Sequence, residues 1–213
     1  MPIEPETAQL LSAKFIRDAL ILWATIDPIS TMLVYMSLTA DFPVAQRHRI
    51  AAWATIYASL ILLVAIVIGQ IILTALGVTM VAFQVAGGIV LFLFSVQLIF
   101  GNLTMRIVTE VPHGRSLAVF PLATPSIATP GAIMAVIVLT DNHLYSIPIQ
   151  VGTAAITISI LVITYVLMRA ASPILKIIGR PGAEMIVRVM GLLLAALSVQ
   201  LMFDAIGFNQ FTP

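Results

Sequence analysis

The stretch Pro121-Leu122-Ala123-Thr124-Pro125-Ser126-Ile127-Ala128-Thr129-Pro130-Gly131 decides the fold of this 213-residue chain. It lies inside an apolar segment, about Leu117–Thr140, that is otherwise long enough to cross a lipid bilayer as a helix. Because proline removes a backbone donor and collides with the preceding turn, a continuous helix is not expected through this stretch. The dipeptide Asp27-Pro28 interrupts the first apolar segment in the same way. Each half is about 12 residues, roughly 18 Å of helix, so two stacked halves are needed to cross.

The composition places the rest of the chain in the membrane. Hydrophobic residues make up 61% of the sequence and charged residues only 9%, too few to cover a soluble globule. The sequence has no cysteine, which excludes disulfides and thiolate metal sites. We find no paired intramembrane carboxylates, no serine near a histidine and no metal-ligand spacing. We therefore expect no catalytic site, cofactor, metal or nucleic-acid partner.

Six apolar segments separated by short polar connections predict an all-α integral membrane protein. The chain is expected to form a single transmembrane domain over residues 1–213, with the first and fourth of its six transmembrane helices broken. The predicted segments are about Phe15–Thr39, Ile50–Leu73, Met80–Gly101, Leu117–Thr140, Leu144–Met168 and Ala183–Ile206.

An internal duplication relates the two halves of the chain. An offset of 102 residues pairs Pro28 with Pro130 and Gly77 with Gly179, and one residue more pairs the two Ser-Val-Gln-Leu runs at 95–98 and 198–201. We predict one three-helix repeat at about residues 15–102, a second at about 117–207, and a cytoplasmic connector at about 103–116.

The positions of the basic residues predict the orientation of the helices. If all six segments cross, Lys14 and Arg17 lie on one side and the other eight of the ten Lys and Arg residues lie on the other. If the broken segments are re-entrant, that bias disappears. Since basic residues are held on the cytoplasmic side, the crossing arrangement is preferred, in the plasma or inner membrane. Both termini are then outside (periplasmic), and three spans per repeat make the repeats inverted.

The two breaks offer the chemistry of a binding site. Asp27-Pro28 and Thr129-Pro130 each combine a capping side chain with a proline at the first helical position, so each can begin a half-helix within the membrane. Such helix starts present unpaired N–H groups and the positive end of a dipole, which suits the carboxylate of a small zwitterion. The carbonyls that end the preceding half-helices would receive its ammonium group. The residues expected to bind substrate are Asp27, Pro28, Ser30, Thr129, Pro130, Gly131 and Ala132.

Several of these residues also have a purely structural interpretation. Asp27 is a candidate for ion coupling because an ionised carboxylate is costly in mid-bilayer, and it is equally interpreted as an N-cap. The prolines and glycines at the breaks could simply kink the helices. Thr55 and Thr157 are repeat equivalents that could line a pathway or bond their own helix carbonyls. Asp18 is expected at the membrane interface.

These residues together resemble a known family. Asp27-Pro28-Ile29-Ser30, Ala86-Gly87-Gly88-Ile89, Pro121–Pro125 with Thr129–Ile133, and the run Arg188–Ala196 are similar to the MarC family, which includes the SnatA-type small neutral amino acid transporters. The resemblance implies six helices in two inverted repeats, and a substrate such as glycine or alanine. It points to a secondary transporter that works by alternating access around a midplane site.

Two departures from the family pattern keep other functions open. Ser30 and Thr129 stand where the family usually has glycine, which motivates a non-transporting membrane scaffold or partner protein as an alternative. Export of another small metabolite is a further alternative. A channel is disfavoured because the sequence contains no ring of charges or carbonyl filter.

Overall fold

A computed structural model describes residues 5–100 and 115–208, and every regular element within these ranges is a helix. A short helical turn, Arg115–Leu117, leads into α5. The helices are α1 (Pro5–Ile26), α2 (Pro28–Thr39), α3 (Val44–Ala75), α4 (Met80–Phe100), α5 (Ala118–Ile127), α6 (Pro130–Leu139), α7 (Ile147–Arg169) and α8 (Ala171–Ala205).

The described helices include enough apolar length for five or six membrane spans. Five are long and apolar enough by themselves, the first being the run Gln9–Leu38 formed by α1 and α2. The pair α5 and α6, bent by 57° at its break, makes a sixth if it is one span. The chain is therefore an integral membrane protein, as its composition predicts.

The pair α5–α6 runs from one end of the helix bundle to the other. Ala118, at the start of α5, shares a cavity wall with Gln46 and Arg49 at the start of α3. Just after α6, Asp141 accepts a hydrogen bond from Gln70 near the end of α3. Residues 46 and 70 of α3 are separated by about 36 Å along the helix axis. The two ends of the pair are therefore far apart. We call the end where α1 begins and α6 ends the N-terminal end of the bundle, and the other the opposite end.

The helices at the breaks form the interior, and the long helices enclose them. Most of α6 is buried, and so is half of α2. In contrast, α3 and α4 expose many large apolar side chains, including Leu60, Val67 and Leu93. Apolar side chains on the outside and polar breaks on the inside are what a bilayer requires of a protein that it surrounds.

A close seam joins α4 and α8 by reciprocal contacts. A Cβ added at Gly88 would lie 3.1 Å from the Ser198 carbonyl oxygen, and one added at Gly191 would lie 3.1 Å from the Ser95 carbonyl oxygen. Gly88 and Gly191 are repeat equivalents, as are Ser95 and Ser198. Moving forward along α4 corresponds to moving backward along α8, so the helices are antiparallel. The two contacts are therefore reciprocal: each glycine faces the carbonyl of the serine on the other helix.

The two glycines that the 102-residue offset pairs both have a positive φ. Gly77 follows α3 with a φ of 67°, and Gly179, where α8 bends, has a φ of 70°. A positive φ is accessible to glycine without steric cost. Glycine is therefore favoured at both positions.

Candidate binding site at the helix breaks

Each of the two breaks ends in a capped helix start. The Asp27 carboxylate accepts a hydrogen bond from the Ser30 backbone N–H at 3.2 Å, and the Thr129 hydroxyl accepts one from the Ala132 N–H at 2.9 Å. Both caps precede a proline at the first helical position. The N-cap interpretation of Asp27 and Thr129 is therefore confirmed. Asp27 adopts the left-handed conformation, with a φ of 47°, whereas Thr129 is extended.

Hydrogen bonds also link one break to the other. The Thr129 hydroxyl donates to the carbonyl oxygen of Thr25, near the end of α1, at 2.7 Å. The Thr31 hydroxyl of α2 donates to the carbonyl oxygen of Ser126, near the end of α5, at 3.0 Å. Each hydroxyl thus satisfies a carbonyl that the interrupted helix of the other half leaves free. The two breaks, about 100 residues apart in the chain, form one buried polar centre.

Three buried polar atoms at this centre, Asp27 Oδ2, Ser30 Oγ and Ser126 Oγ, make no hydrogen bond of regular geometry, and the Ser30 side chain lies beside the Asp27 carboxylate. Asp27 is 1% exposed, Ser30 6% and Ser126 9%. Each buried polar atom left unpaired costs about 1–3 kcal/mol, so such atoms are rare in folded proteins. Within the part of the chain that the structure describes, these three are the only buried side-chain oxygens or nitrogens without a partner. The polar centre therefore has unused hydrogen-bonding capacity.

Most of the predicted site residues are buried at this centre. Burial holds for Asp27, Pro28, Ser30, Thr129, Gly131 and Ala132, whereas Pro130 is exposed. The glycine at 131 serves a packing contact, because a Cβ there would overlap Leu91 Cδ1 of α4.

The groups predicted to bind a zwitterion are partly in use. The Ser30 and Ala132 N–H groups already donate to the caps, and the Thr25 and Ser126 carbonyls already accept from threonine hydroxyls. The unused groups are side-chain oxygens instead. Ser126 was not among the predicted site residues, although its place in the interrupted stretch, three residues before the cap, was a usable signal.

Comparison with known proteins identifies the family to which this arrangement belongs. The sequence model of a family described as "MarC family integral membrane protein" matches residues 12–208 of this chain. The chain belongs to the MarC family. Among its relatives, a "UPF0056 membrane protein" of Archaeoglobus fulgidus is 35% identical over 192 residues, covering 87% of this chain and 89% of that protein. The "UPF0056 inner membrane protein MarC" of Salmonella paratyphi A is 27% identical over 197 residues. That alignment covers 84% of this chain and 88% of the Salmonella protein. No solved structure gives a significant match.

These comparisons support the MarC resemblance and leave the activity open. The printed names of the relatives describe membrane proteins and state no substrate. The family membership therefore establishes a membrane protein, and the choice of substrate depends on the chemistry of the polar centre.

The predicted pathway threonines of this MarC-family chain bond within their own helices. The Thr55 hydroxyl donates to the Ala51 carbonyl at 3.0 Å, and the Thr157 hydroxyl donates to the Thr153 carbonyl at 2.9 Å. Both are the i−4 bonds that the sequence left as the alternative. A role in lining a pathway stays a prediction for both residues.

A second polar cluster lies at the N-terminal end of the bundle, and sequence reasoning missed it. Lys14 forms an ion pair with Asp18, and the Thr153 hydroxyl donates to Asp18 Oδ2 at 2.7 Å. The Lys14 ammonium also approaches the Leu139 carbonyl oxygen at 3.5 Å and lies 4.1 Å from the centroid of the Tyr145 ring. Asp18 is only 1% exposed, so it is buried within the helix bundle, and its expected level at the membrane interface stays a prediction. Lysine and aspartate four residues apart within an apolar segment were the available signal.

Two cavities of the described structure lie away from the breaks. One, of about 440 Å³, is lined by residues at the start of α3, including Arg49 and Trp53, together with Ala118. The other, of about 510 Å³, lies between α1 and α8 beside Arg17 and Asp204. Neither is lined by a residue of the polar centre.

Proposed function

We propose that this MarC-family protein is a secondary transporter of small neutral amino acids, such as glycine or alanine, that binds them at the two helix breaks. The observation that carries the proposal is the coincidence of three unpartnered buried oxygens, on Asp27, Ser30 and Ser126, with the interrupted helices. A ligand with donors and acceptors would pair these oxygens and remove their desolvation cost. The proposed activity is transport, with no chemical step.

The types of these oxygens favour a zwitterion. Asp27 Oδ2 is a free acceptor suited to an ammonium group, because its partner oxygen is already engaged by the Ser30 N–H. The Ser30 and Ser126 hydroxyls can donate to a carboxylate, and the starts of α2 and α6 direct their positive dipole ends to the same region. The described residues around the breaks are mostly small or apolar, which suits a ligand with a short side chain. Glycine and alanine meet these conditions.

Two inverted repeats around the site provide the mechanism of alternating access. The seam supports such an arrangement, since Gly88 and Gly191 make reciprocal contacts across antiparallel helices. A two-fold axis that relates antiparallel helices in this way is perpendicular to them, and therefore lies in the membrane plane. The equivalent caps at Asp27 and Thr129, and the positive φ of Gly77 and Gly179, follow the same symmetry.

Six crossings, with α1–α2 and α5–α6 as broken spans, are part of the proposal. The contacts of Ala118 and Asp141 with opposite ends of α3 support crossing over a re-entrant loop. Crossing leaves Lys14 and Arg17 at the N-terminal end, and Arg47, Arg49 and the other basic residues at the opposite end. By the positive-inside rule the N-terminal end is outside, in the plasma or inner membrane, together with both termini.

Glycine and alanine binding tests the proposal directly. We expect millimolar glycine to raise the thermal midpoint of the purified protein, and proteoliposomes to take up glycine or alanine saturably. Ser30→Ala and Ser126→Ala each remove one unpartnered hydroxyl and should weaken both effects several-fold. Ser37→Ala is the matched control, because Ser37 is exposed on α2 and donates to the Val34 carbonyl at 2.8 Å. Absence of any saturable uptake would refute the transporter.

Ion coupling through Asp27 is tested by the pH dependence of uptake. An Asp27→Asn protein keeps an acceptor for the Ser30 N–H but carries no titratable group. If Asp27 couples transport to protons, uptake by this variant loses its dependence on external pH. A variant that retains the full pH dependence of the parent would exclude Asp27 from that role.

A membrane scaffold without transport is the second candidate. The burial of Ser30 and Thr129, at positions where the family usually has glycine, favours it, as does the location of both described cavities away from the breaks. In that case no small amino acid stabilises the protein, and Ser30→Ala and Ser37→Ala behave alike.

A further inference from the structure

The polar cluster at the N-terminal end joins the two halves of the molecule. Lys14 and Asp18 belong to α1, in the first half, whereas Thr153 on α7 and the Leu139 carbonyl that ends α6 belong to the second. The Lys14 side chain is 13% exposed and that of Asp18 is 1% exposed. The ion pair itself lies within α1, so the bonds that cross between the halves are those of Asp18 and Lys14 to Thr153 and of Lys14 to the Leu139 carbonyl.

A second link between the halves lies at the same end. Gln70 of α3 donates to Asp141 Oδ1 at 2.5 Å and accepts from the Asn142 N–H at 3.0 Å. Asp141 is 5% exposed and also accepts from the His143 N–H. We call these two links, Lys14–Asp18–Thr153 and Gln70–Asp141, the N-terminal clasps.

Both clasps lie outside the polar centre along the helix axes. Asp18 precedes Asp27 by nine residues of α1, about 14 Å, and Asp141 follows Thr129 by twelve residues, about 18 Å. A solute that moves between the N-terminal end and the breaks therefore has to pass the level of the clasps.

The opposite end is held differently. There Arg47 of the first half donates to Ser172 of the second at 3.4 Å and contacts Met36 Sδ, both neutral acceptors. Both ion pairs between described residues, Lys14–Asp18 and Arg17–Asp204, lie at the N-terminal end. Among the described residues, the two buried carboxylates that accept bonds from the other half, Asp18 and Asp141, both lie at the N-terminal end.

We propose that the N-terminal clasps are a gate, in which the buried Lys14–Asp18–Thr153 cluster and the Gln70–Asp141 bond close the N-terminal end over the polar centre. The gate regulates access to the site described above, so its role in transport rests on the proposed function. Opening requires Lys14 and Asp18 on α1 to separate from Thr153 and Leu139 on α7 and α6. Water or substrate then replaces these partners.

A cysteine reporter at the polar centre tests the gate without any substrate. The chain contains no cysteine, so Ser30→Cys introduces the single thiol. The rate at which a charged thiol reagent modifies the purified protein measures access to the breaks. We expect slow modification in the parent background and at least a fivefold faster rate with Asp18→Asn. Thr153→Val, which removes one hydroxyl, should also accelerate labelling and serves if Asp18→Asn fails to fold.

Controls separate gating from general loosening. Arg17→Gln breaks the exposed Arg17–Asp204 pair at the same end and should leave the Ser30→Cys rate unchanged. Ser12→Cys, at an exposed position of α1, gives the rate of an open thiol. The gate is overturned if the Ser30→Cys rate already equals that of Ser12→Cys, if neither Asp18→Asn nor Thr153→Val changes it, or if Arg17→Gln accelerates it equally. Failure of glycine to stabilise the parent protein would refute the substrate instead.

Discussion

At the scale of single residues, Asp27 and Thr129 solve one problem with different side chains. Each begins a helix in the buried interior of the bundle, where the first N–H groups need a partner from the protein. Thr129 does more than cap, because its hydroxyl also donates to the Thr25 carbonyl. Asp27 has no hydrogen to donate when ionised, and it keeps one oxygen free instead. The second break therefore has a hydroxyl, on Thr129, that both donates and accepts, and the first break has a carboxylate oxygen, on Asp27, that can accept a further hydrogen bond.

Replacing the Thr129 hydroxyl should destabilise the protein. Thr129→Val keeps the shape but loses both the Ala132 cap and the bond to the Thr25 carbonyl, which leaves a buried donor and a buried acceptor unpaired. We expect a loss of about 2–4 kcal/mol in unfolding free energy. Thr129→Ser retains the hydroxyl and should lose less than half as much. Thermal unfolding in detergent measures both variants, and equal midpoints for valine and serine would contradict the assigned bonds.

The residues that sequence reasoning identified are those whose role is local. Asp27-Pro28 and Thr129-Pro130 each predict an N-cap and a helix start from two adjacent residues. Both cap hydrogen bonds are present in the structure. The cluster of Lys14, Asp18 and Thr153 was not predicted, because it forms only when α1 packs against α7, about 135 residues away in the chain. The free hydroxyl of Ser126 likewise follows from the tertiary arrangement.

At the scale of helices, α6 is held by contacts that its sequence alone does not reveal. Its first turn packs against α4 through Gly131 and Leu91, and its end is tied to α1 and α3 through Leu139 and Asp141. The proline spacing predicted where the segment breaks. The bend of 57° and the extended conformations of Phe120 and Thr124 depend on how the neighbouring helices fit, so the path of α5–α6 was not predictable.

The contact between Gly131 and Leu91 should appear as an energetic coupling. Gly131→Ala introduces a Cβ that overlaps Leu91 Cδ1, and overpacking of this kind costs about 1–3 kcal/mol. In a Leu91→Ala background the overlap is absent, so the same substitution should cost little. Thermal midpoints of the four proteins complete the double-mutant cycle. Additive effects would show that Gly131 is required for another reason, such as contact with a ligand.

At the scale of the whole molecule, the number of crossings determines the orientation. The offsets of 102 and 103 residues pair the two positive-φ glycines and the glycines of the seam, which favours the predicted internal repeat. The ends of α5–α6 relative to α3 could not be read from the sequence, since they depend on long-range packing.

A reporter fused after Gly207 should be active only outside the cytoplasm. Six crossings with Lys14 and Arg17 outside place both termini on the same side. Alkaline phosphatase activity at this fusion point, with no fluorescence from a cytoplasmic fluorophore at the same position, is the expected result. A fusion after Thr39, which ends α2 at the opposite end, is the control with the reverse pattern. A cytoplasmic reporter after Gly207 would contradict the orientation.

The reciprocal seam of α4 and α8 has a consequence for how the protein can be encoded. Gly88 contacts the Ser198 carbonyl and Gly191 contacts the Ser95 carbonyl. Each half therefore contributes one glycine and one serine carbonyl to the interface. Such an interface does not depend on the peptide linking the halves. Two genes, one for residues 1–108 and one for 109–213, should yield polypeptides that copurify from co-expressing cells. Gly88→Leu together with Gly191→Leu should abolish that assembly while the same pair in the single chain still reaches the membrane.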